Sequence, residues 1–355
     1  MATLTIKLKQ HTPYIHFQHN HLGATLRASD LKPRIDKYLG GTQKYQLAIS
    51  AEMENDYPKD KEQGKEPYFG DYKLCRYENI VLTFNTYFDT DLKNKIEEVL
   101  LKVFAHENFG SFGSKGYGCF TIDGRSQTDF ENLLKAKFKT VYYWETNETS
   151  DDKIFFQIKY FYALLKSGIN IPRGPDRTYH KSLLMQYFLK DDIRWEKRGI
   201  KKKFGLMKSR DARFLDCGED EIGDKEKYKA VKPLLGYSTS QKWQSYGKEI
   251  DIKFPDNIDR INSPLFFKVY KNKQNNFARI YFMLRNDAEL KNKILPNKPF
   301  NYTIDTTTKP FHTPDNFDYP TFLQYAVDEI NKITVTNNGR VNKFIESLKN
   351  NIKPL

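Results

Sequence analysis

The stretch that decides the fold is NFGSFGSKGYGCFTI, residues 108–122, which carries glycines at 110, 113, 116 and 118. Glycine has no Cβ, so a segment this rich in glycine leaves its N–H groups unshielded and admits another group at close range. A helical pattern precedes the stretch, and a predicted strand at Tyr117–Ile122 ends it. Both nucleotide-binding fingerprints run instead from strand to helix, and the Gly-Lys-Ser/Thr ending of the Walker motif is missing here. The pattern therefore predicts a glycine-rich loop between a helix and a strand and argues against ATP binding.

Two interpretations of this loop are open from the residues alone. In the first, main-chain amides clamp a phosphate backbone, Lys115 neutralises charge, and Tyr117 is either a stacking platform for a base or a core residue. In the second, the glycines end the preceding helix and form a tight turn. The residues assigned to the RNA-binding interpretation are Gly110, Gly113, Lys115, Gly116, Tyr117 and Gly118.

The N-terminal part of the chain alternates strand and helix patterns. Residues 3–9 alternate apolar and polar side chains, which predicts a half-buried strand. Ser29 is the predicted N-cap of a short helix, and a β-branched, aromatic strand is predicted at 80–88. With the helix, loop and strand that follow, the order is β-α-β-β-α-β over roughly residues 1–145. This order is the ferredoxin-like pattern shared by RRM-type modules.

The C-terminal part begins after a polar segment at 145–152, which is a predicted linker. Residues 154–165 are strongly apolar and fit a helix or a strand. SPLFFKVYK (263–271) and FARIYFMLR (277–285) are separated by a polar turn and predict a β-hairpin. Two further helices are predicted at 180–189 and 321–330.

The overall composition favours a polyanionic partner. Lys and Arg outnumber Asp and Glu by 58 to 45, a formal net charge of +13, which attracts polyanions through steering and counterion release. Charge alone does not separate nucleic acid from an anionic membrane or an acidic protein. The three cysteines are far apart, so neither a disulfide framework nor a zinc ribbon is indicated. No signal core or run long enough for a membrane helix is found, so we expect a cytoplasmic protein without a membrane partner.

Several of these stretches together resemble the RAMP superfamily of CRISPR proteins. HENFGSFGSKGYGCFTI (106–122) resembles the family's glycine-rich loop, and TPYIHFQHNHLGATLRASDLKPRIDKYL (12–39) resembles its opening. INSPLFFKVYK (261–271), followed by ARIYFML (278–284), is similar to a strand pair in the second domain of the first subunit of the type III-B Cmr complex. VKPLLGY (231–237) is a weaker match to the same family.

This resemblance implies an α+β protein of two ferredoxin-like RAMP modules with helical insertions. The modules would occupy residues 1–145, with the glycine-rich loop, and 150–355, with a basic helical insertion. The resemblance also implies a non-catalytic, cofactor-free, RNA-binding structural subunit of the Cmr effector complex, which contacts guide and/or target RNA in antiviral defence. Its partners would be CRISPR RNA, target RNA and other RAMP subunits.

The sequence departs from the family pattern in two places. The family usually has a glycine-bearing turn straight after the opening Thr-Pro strand, where this chain has Phe17–His21 and its glycine only at Gly23. The usual second arginine of the loop is absent, which leaves Lys115 alone. Both departures put individual RNA contacts in question rather than the fold.

Basic residues flank the start of the first predicted helix. Arg27, Lys32 and Arg34 stand there, where unpaired N–H groups already favour phosphate. The pattern places Arg27 in the loop that precedes this helix and Lys32 in the first turn of the helix. In the expected fold, both residues lie near the glycine-rich loop. The alternative for Lys32 and Arg34 is a solvated helix surface.

Four histidines, His11, His16, His19 and His21, form a cluster in the sequence. Imidazoles suit zinc or manganese, but this spacing on an extended chain does not converge ligands, so no metal site is predicted. His16 or His19 could instead act as a general acid or base in RNA cleavage. Related stand-alone RAMP endonucleases that process CRISPR RNA without metal would be the model for that function. The third interpretation is a set of hydrogen-bonding and stacking histidines over RNA.

A basic run in the second half is the other candidate for RNA contact. Nine basic residues lie between Arg194 and Arg213, with Trp195 and Phe204 interleaved, and we assign Lys201, Lys202 and Lys203 to RNA binding. A solvated helix face, or a loop that orders on binding, explains the run equally well. A protein that binds an acidic protein partner without RNA is a further alternative for the whole chain.

Overall fold

The computed structural model describes residues 2–15, 26–54, 74–171, 174, 177–206, 228–238, 240–243, 248–253, 260–261, 263–272, 275–285, 299–335 and 337–355. These residues form a mixed α+β structure with eight α-helices and several antiparallel sheets. The helices are α1 Ala28–Tyr38, α2 Thr90–His106, α3 Gln127–Lys137, α4 Asp151–Lys166, α5 Leu183–Leu189, α6 Glu196–Lys203, α7 Tyr319–Lys332 and α8 Arg340–Leu348, and a 3-10 helix spans Lys232–Leu235.

The strands before α5 are β1 Thr3–Gln10, β2 Tyr14–Ile15, β3 Gln46–Met53, β4 Leu74–Cys75, β5 Tyr77–Asn85, β6 Phe120–Ile122, β7 Val141–Thr146, β8 Ile169–Ile171 and β9 Thr178–His180. The later strands are β10 Arg194–Trp195, β11 Tyr228–Lys229, β12 Tyr237–Ser238, β13 Ser240–Trp243, β14 Lys248–Lys253, β15 Arg260–Ile261, β16 Leu265–Asn272, β17 Phe277–Leu284, β18 Pro299–Ile304, β19 Thr307–His312 and β20 Lys353–Pro354.

The contact pattern divides the chain into two units. The first comprises Met1–Lys159, Leu265–Leu284 and Asn350–Leu355, and the second comprises Tyr160–Pro264 and Arg285–Lys349. The chain therefore leaves the first unit and returns to it.

The first unit contains a sheet in the order β3-β5-β1-β6 with antiparallel neighbours. Along β1, Leu4 and Leu8 are buried while Thr5 and Lys7 are exposed, as the alternation of a half-buried strand requires. The predicted strand at 3–9 is thus confirmed. The buried face packs with α1 and α2 into one core that includes Leu31, Ile35, Leu82, Phe84, Ile96 and Leu100.

Three predicted boundaries in this unit are wrong by two or three residues. The strand predicted at Tyr117–Ile122 spans only Phe120–Ile122. Helix α1 begins at Ala28 with Arg27 as its N-cap, not at Ser29, because the amides of Asp30 and Leu31 already bond to the Arg27 carbonyl. The strand predicted at 80–88 lies at Tyr77–Asn85. It ends earlier because Tyr87 takes a left-handed φ of 59° and the chain turns into α2.

A second sheet of the first unit has the order β16-β17-β7-β20. Strands β16 and β17 pair antiparallel from Leu265↔Leu284 to Asn272↔Phe277, so the predicted hairpin is confirmed. The predicted linker at 145–152 is shorter than expected, since β7 continues through Thr146 and α4 begins at Asp151. The apolar run at 154–165 is helical.

The second unit contains a sheet in the order β13-β14-β18-β19. Helix α7 confirms the amphipathic helix predicted at 321–330, because its buried residues recur at helical spacing. The helix predicted at 180–189 is present as α5 but begins three residues later, at Leu183, because His180 belongs to β9. In the part of the chain that the structure describes, no helix combines the length and the hydropathy needed to cross a membrane.

His106, in the last turn of α2, is held in its neutral form inside the first unit. Its Nδ1 lies 3.0 Å from the Tyr38 hydroxyl and its Nε2 lies 3.0 Å from the carbonyl oxygen of Leu133. A proton on Nε2 satisfies both contacts, since the carbonyl needs a donor and the tyrosine hydroxyl can then donate to Nδ1. Burial lowers the pKa of His106 to about 4.

We predict that His106 makes the fold sensitive to acid. Its folded pKa lies below the unfolded value, so its stabilisation is complete above about pH 6.5 and is lost as the pH falls towards 4. In His106→Gln, the free energy of unfolding should fall less steeply over this range, by up to about 1.4 kcal/mol per pH unit. Urea unfolding of both proteins from pH 8 to pH 4 measures the difference, with pH 8 as the baseline for any packing loss. Parallel pH profiles would contradict the assignment.

Candidate nucleic-acid interface

The glycine-rich loop, residues 108–119, is closed at its neck by main-chain hydrogen bonds. The Phe109 N–H donates to the Gly118 carbonyl at 3.0 Å, and the Gly118 N–H donates to the Pro13 carbonyl at 2.8 Å. The loop is therefore fastened to itself and to the segment between β1 and β2. Its shape is set by the protein before any ligand is considered.

Three of the four glycines are required by this internal packing. A Cβ on Gly118, whose φ is 64°, would lie 1.9 Å from the Phe109 carbonyl oxygen. A Cβ on Gly110, whose φ is 76°, would lie 2.3 Å from the Ile15 carbonyl oxygen. At Gly116 the φ of 87° favours glycine, and an added Cβ would also meet an isoleucine side chain of α4 at 3.1 Å. The density of glycine thus follows from close approach of the protein's own atoms.

The beginning of the loop lies against α1. The Tyr14 ring is close enough to Gly110 that an added Cβ would stand 2.6 Å from it, and the Tyr14 hydroxyl donates to the Asp30 carboxylate at 2.9 Å. From the same helix, Arg34 donates to the Asn108 carbonyl at 2.7 Å. The first turns of α1 and the start of the loop are therefore in contact with each other.

The three basic residues of α1 and its cap are placed differently. Arg27 is half-buried at the N-cap, and Arg34 reaches the loop, where it also pairs with Glu107 at 3.5 Å. The Lys32 ammonium instead donates to the main-chain carbonyl of Tyr45 at 3.1 Å and lies 3.4 Å from the centre of the Tyr45 ring. Residues two apart on a helix do not share a face, so Lys32 is directed to the chain entering β3 and not to the loop.

The loop divides into a partly exposed half and a buried half. Residues 110–115 are partly exposed, whereas 116–120 are buried. The Tyr117 ring is fully buried and stacks on Phe155, with ring centres 3.8 Å apart and planes 8° apart. Of the two roles considered for Tyr117, a stacking platform for a base or a core residue, the structure shows the core residue. The accessible part of the loop consists of Gly110, Ser111, Phe112, Gly113, Ser114 and Lys115.

Main-chain donors remain available in that accessible half. Among the described residues, the amides of Gly113 and Ser114 have no acceptor, while the amide of Lys115 is used within the loop by a bond to Phe112. Two neighbouring amides suit an anionic oxygen, but the ammonium nitrogen of Lys115 beside them is buried, so its charge is not presented at the surface. The phosphate clamp predicted from the sequence could therefore involve only this accessible part of the loop and not all four glycines.

Asn108 organises the loop and was not singled out from the sequence. Its Nδ2 donates to the Gly113 carbonyl at 2.6 Å and to the Phe267 carbonyl at 2.8 Å, and its Oδ1 accepts from the Cys119 thiol at 3.2 Å. One buried side chain thus ties both sides of the loop to β16. The available signal was its position two residues before the first glycine, where a short amide can satisfy turn carbonyls.

Lys268 supports the same region from β16 and was also missed. Its buried ammonium donates to the carbonyls of Phe104 and Glu107, each at 2.6 Å, which are acceptors left open at the end of α2. Burial lowers the pKa of Lys268 to about 8. A lysine inside the apolar run LFFKVYK (265–271) was the signal, because a lysine buried in a core requires partners.

The basic run of the second unit lies partly on α6. Lys201 and Lys202 are half-buried and Lys203 is exposed. The Lys203 ammonium donates to the Pro310 carbonyl at 2.9 Å, and the Lys202 ammonium lies 5.4 Å from the Tyr228 ring centre. Lys208, Arg210 and Arg213 lie outside the described residues. Within the second unit, these lysines serve packing as well as presenting charge.

His11 is fully buried and both of its ring nitrogens are used. Its Nδ1 accepts from the Lys271 amide at 2.9 Å, and its Nε2 lies 2.8 Å from the Thr121 hydroxyl oxygen. Burial lowers the pKa of His11 well below its ordinary value, so it is a neutral core residue. His16, His19 and His21 lie outside the described residues. Across the described ranges, no three His, Cys, Asp or Glu side chains are grouped to hold a metal.

Comparison with known families matches nearly the whole chain. A family model described as the Cmr1 N-terminal domain matches residues 1–74 and 41–169, and one described as the Cmr1 C-terminal domain matches residues 179–352. A search of curated proteins found no match.

We predict that the neck of the loop tolerates no side chain. In Gly118→Ala, the new methyl group would clash with the Phe109 carbonyl, and the alanine would have to adopt a left-handed φ. A left-handed alanine alone costs about 1–2 kcal/mol, so the loss of stability in this variant should be several-fold larger than that. Gly124→Ala is the matched control, since Gly124 has a φ of 77° with nothing within 4 Å of an added Cβ. Denaturant unfolding compares the two variants, and equal losses would show that the neck is not tight.

Proposed function

This chain belongs to the Cmr1 family and is a subunit of the type III-B Cmr complex of a CRISPR system, and from that premise we propose that it binds RNA in antiviral defence. The RNA is the guide, the target or both. The role is structural and non-catalytic, it takes place in the cytoplasm, and the neighbouring partners are other RAMP subunits of the complex. No cofactor is needed for it.

We further propose that the chain is built from two ferredoxin-like RAMP modules. The order strand, helix, two strands, helix, strand, with the sheet order β3-β5-β1-β6, supports the first module. The boundaries 1–145 and 150–355 for the two domains stay predictions from the sequence. The second module, with its basic helical insertion at α6, rests on the resemblance alone.

The observation that carries the RNA proposal is the junction of the loop with α1. Arg34 ties the loop to the helix, Arg27 caps that helix, and the amides of Gly113 and Ser114 are open among the described residues. Helix N-terminal amides and a neighbouring guanidinium favour a phosphate group. The sugar-phosphate backbone of an RNA strand offers such groups in series, so the junction suits a backbone and not a base edge.

The proposed mechanism is positional. Gly110 and Gly113 would approach the sugar-phosphate closely, and Lys115, whose ammonium nitrogen is buried, would shape the loop from within together with Gly116, Tyr117 and Gly118. Arg27 and Arg34 would supply charge, while Lys32 and Lys201–Lys203 would add to the attraction of the surface for RNA. Sequence specificity would come from pairing between guide and target, as in guided complexes generally.

We predict that Arg27→Ala weakens RNA binding whereas Lys37→Ala does not. Both changes remove one positive charge from α1, but Arg27 caps its N-terminus and Lys37 is exposed in its last turn. Loss of one phosphate contact should weaken binding by roughly fivefold or more at low salt and reduce the salt slope by about 0.7 for single-stranded RNA.

Fluorescence anisotropy with labelled guide and target RNA, on the free chain and on the assembled complex, measures both quantities. Equal effects of the two variants would show only general attraction and would reject the junction as a site. Absence of RNA binding by the wild-type chain in both settings would reject the function in favour of an RNA-independent interaction with an acidic protein.

The enzymatic alternative has its own test. If His16 or His19 served as a general acid or base, the isolated chain would cleave CRISPR repeat RNA without divalent ions, and His16→Ala or His19→Ala would abolish cleavage. We expect intact RNA from the wild-type chain after prolonged incubation in chelator. Cleavage that both variants retain would point to a contaminating nuclease, and cleavage that either variant abolishes would replace the structural role with an enzymatic one.

A further inference from the structure

In the second unit, β8 and β9 form a two-stranded ribbon with one buried face and one exposed face. The pairing is Ile169↔His180, Asn170↔Tyr179 and Ile171↔Thr178. Because side chains alternate along a strand, Asn170 and Tyr179 share the outer face, and both are exposed. Tyr179 stands out, since 65% of it is accessible.

The inner face of the ribbon is fixed by α8. The buried Asn342 side chain accepts from the Thr178 hydroxyl at 2.9 Å, and its Oδ1 lies 2.7 Å from Nε2 of His180. At the end of the ribbon, the Ser182 hydroxyl donates to the carbonyls of Leu165 and Lys166 at 3.1 and 3.0 Å. The strand that carries Tyr179 is therefore held rigidly, and the ring is presented outward by a fixed backbone.

Two cations flank the tyrosine. Arg177 directly precedes β9 and Lys181 directly follows it, and both are exposed. They stand two residues before and after Tyr179, which is about 7 Å along an extended strand. The outer face of the ribbon is defined here as Asn170, Arg177, Tyr179 and Lys181. Every charged residue in this set is positive.

An exposed aromatic ring that is rigid and flanked by cations fits one chemistry well. Any nucleobase offers a π face to the ring, and the phosphates on either side of that base meet the cations. An acidic peptide would use Arg177 and Lys181 but would gain little from the ring. We propose that the outer face of the ribbon is a second RNA contact, on which an unpaired nucleotide stacks on Tyr179 while Arg177 and Lys181 bind its flanking phosphates. This inference rests on the proposed RNA-binding function and places one contact in the second unit.

The chain offers a matched control for this proposal. Phe88, in the turn between β5 and α2, is also a highly exposed aromatic residue, at 82%. Its neighbours Asp89 and Asp91 are exposed and acidic, so phosphates are repelled there. If losing any surface ring weakened RNA binding, both Tyr179→Ala and Phe88→Ala would bind more weakly. If the ring stacks on RNA, only Tyr179→Ala would bind more weakly.

The experiment measures affinity of the full-length chain for a fluorescent, unstructured oligouridine. We expect Tyr179→Ala to weaken binding roughly 5- to 100-fold with an unchanged salt slope, because stacking releases no counterions. Tyr179→Phe should retain wild-type affinity, since the ring remains. The Arg177→Ala, Lys181→Ala double variant should lower the salt slope by about 1.4. Phe88→Ala should bind as the wild type does.

The outcomes separate this inference from the general function. If Arg27→Ala weakens binding but Tyr179→Ala and Phe88→Ala do not, the ribbon contact is wrong while RNA binding stands. If Tyr179→Phe loses as much affinity as Tyr179→Ala, the hydroxyl and not stacking is responsible, and the proposal is overturned. If the wild type binds no oligouridine or guide RNA, alone or assembled, both proposals fall. Unchanged thermal unfolding of Tyr179→Ala would exclude misfolding, and photocrosslinking of 4-thiouridine RNA to Tyr179 in the wild type would support the contact independently of any variant.

Discussion

The carbonyl oxygen of Phe109 occupies the space that a side chain on Gly118 would need, and the arrangement of the loop depends on this contact. It allows the two ends of the loop to pair through their main chains, and Asn108 then satisfies polar groups of the closed loop. Lys268 satisfies the carbonyls left open at the end of α2. Buried polar groups without partners would each cost about 1–3 kcal/mol. The glycines of this loop therefore serve folding first, and only the part of the loop that these contacts leave accessible could face a ligand.

The predictable part of the fold was the part governed by local periodicity. The strand at 3–9, the hairpin at 265–284 and the helix at 319–332 each follow from alternation or helical spacing of apolar residues. The ends of helices and strands were less predictable, because they depend on single hydrogen bonds and dihedral angles, such as the left-handed φ at Tyr87. The sequence predicted that the glycine-rich loop lies near the start of the first helix, and Arg34 of α1 does contact the loop at Asn108. The direction of Lys32 was not predictable, because it depends on the carbonyl and the ring of Tyr45, which no local pattern reveals.

The net charge of the chain overstates the charge that it can offer to a partner. Lys268 ends inside the core on helix carbonyls, and Asp151 accepts hydrogen bonds from both Arg76 and Lys271 at sites that are largely buried. His11 is neutral. Basic residues in this protein thus divide into those that hold segments together and those left at the surface. Counting residues cannot separate the two groups, because the division is made by tertiary contacts.

The return of β16 and β17 to the first unit has a consequence for biosynthesis. Glu145 on β7 and its partner Arg279 on β17 are 134 residues apart in the chain. At ordinary translation rates, a ribosome needs on the order of 10 s to make such a stretch. During that interval, the nascent β7 has an unpaired edge that must avoid joining other chains. A cell making this protein therefore gains from keeping the partly made polypeptide apart from its copies until the missing hairpin emerges.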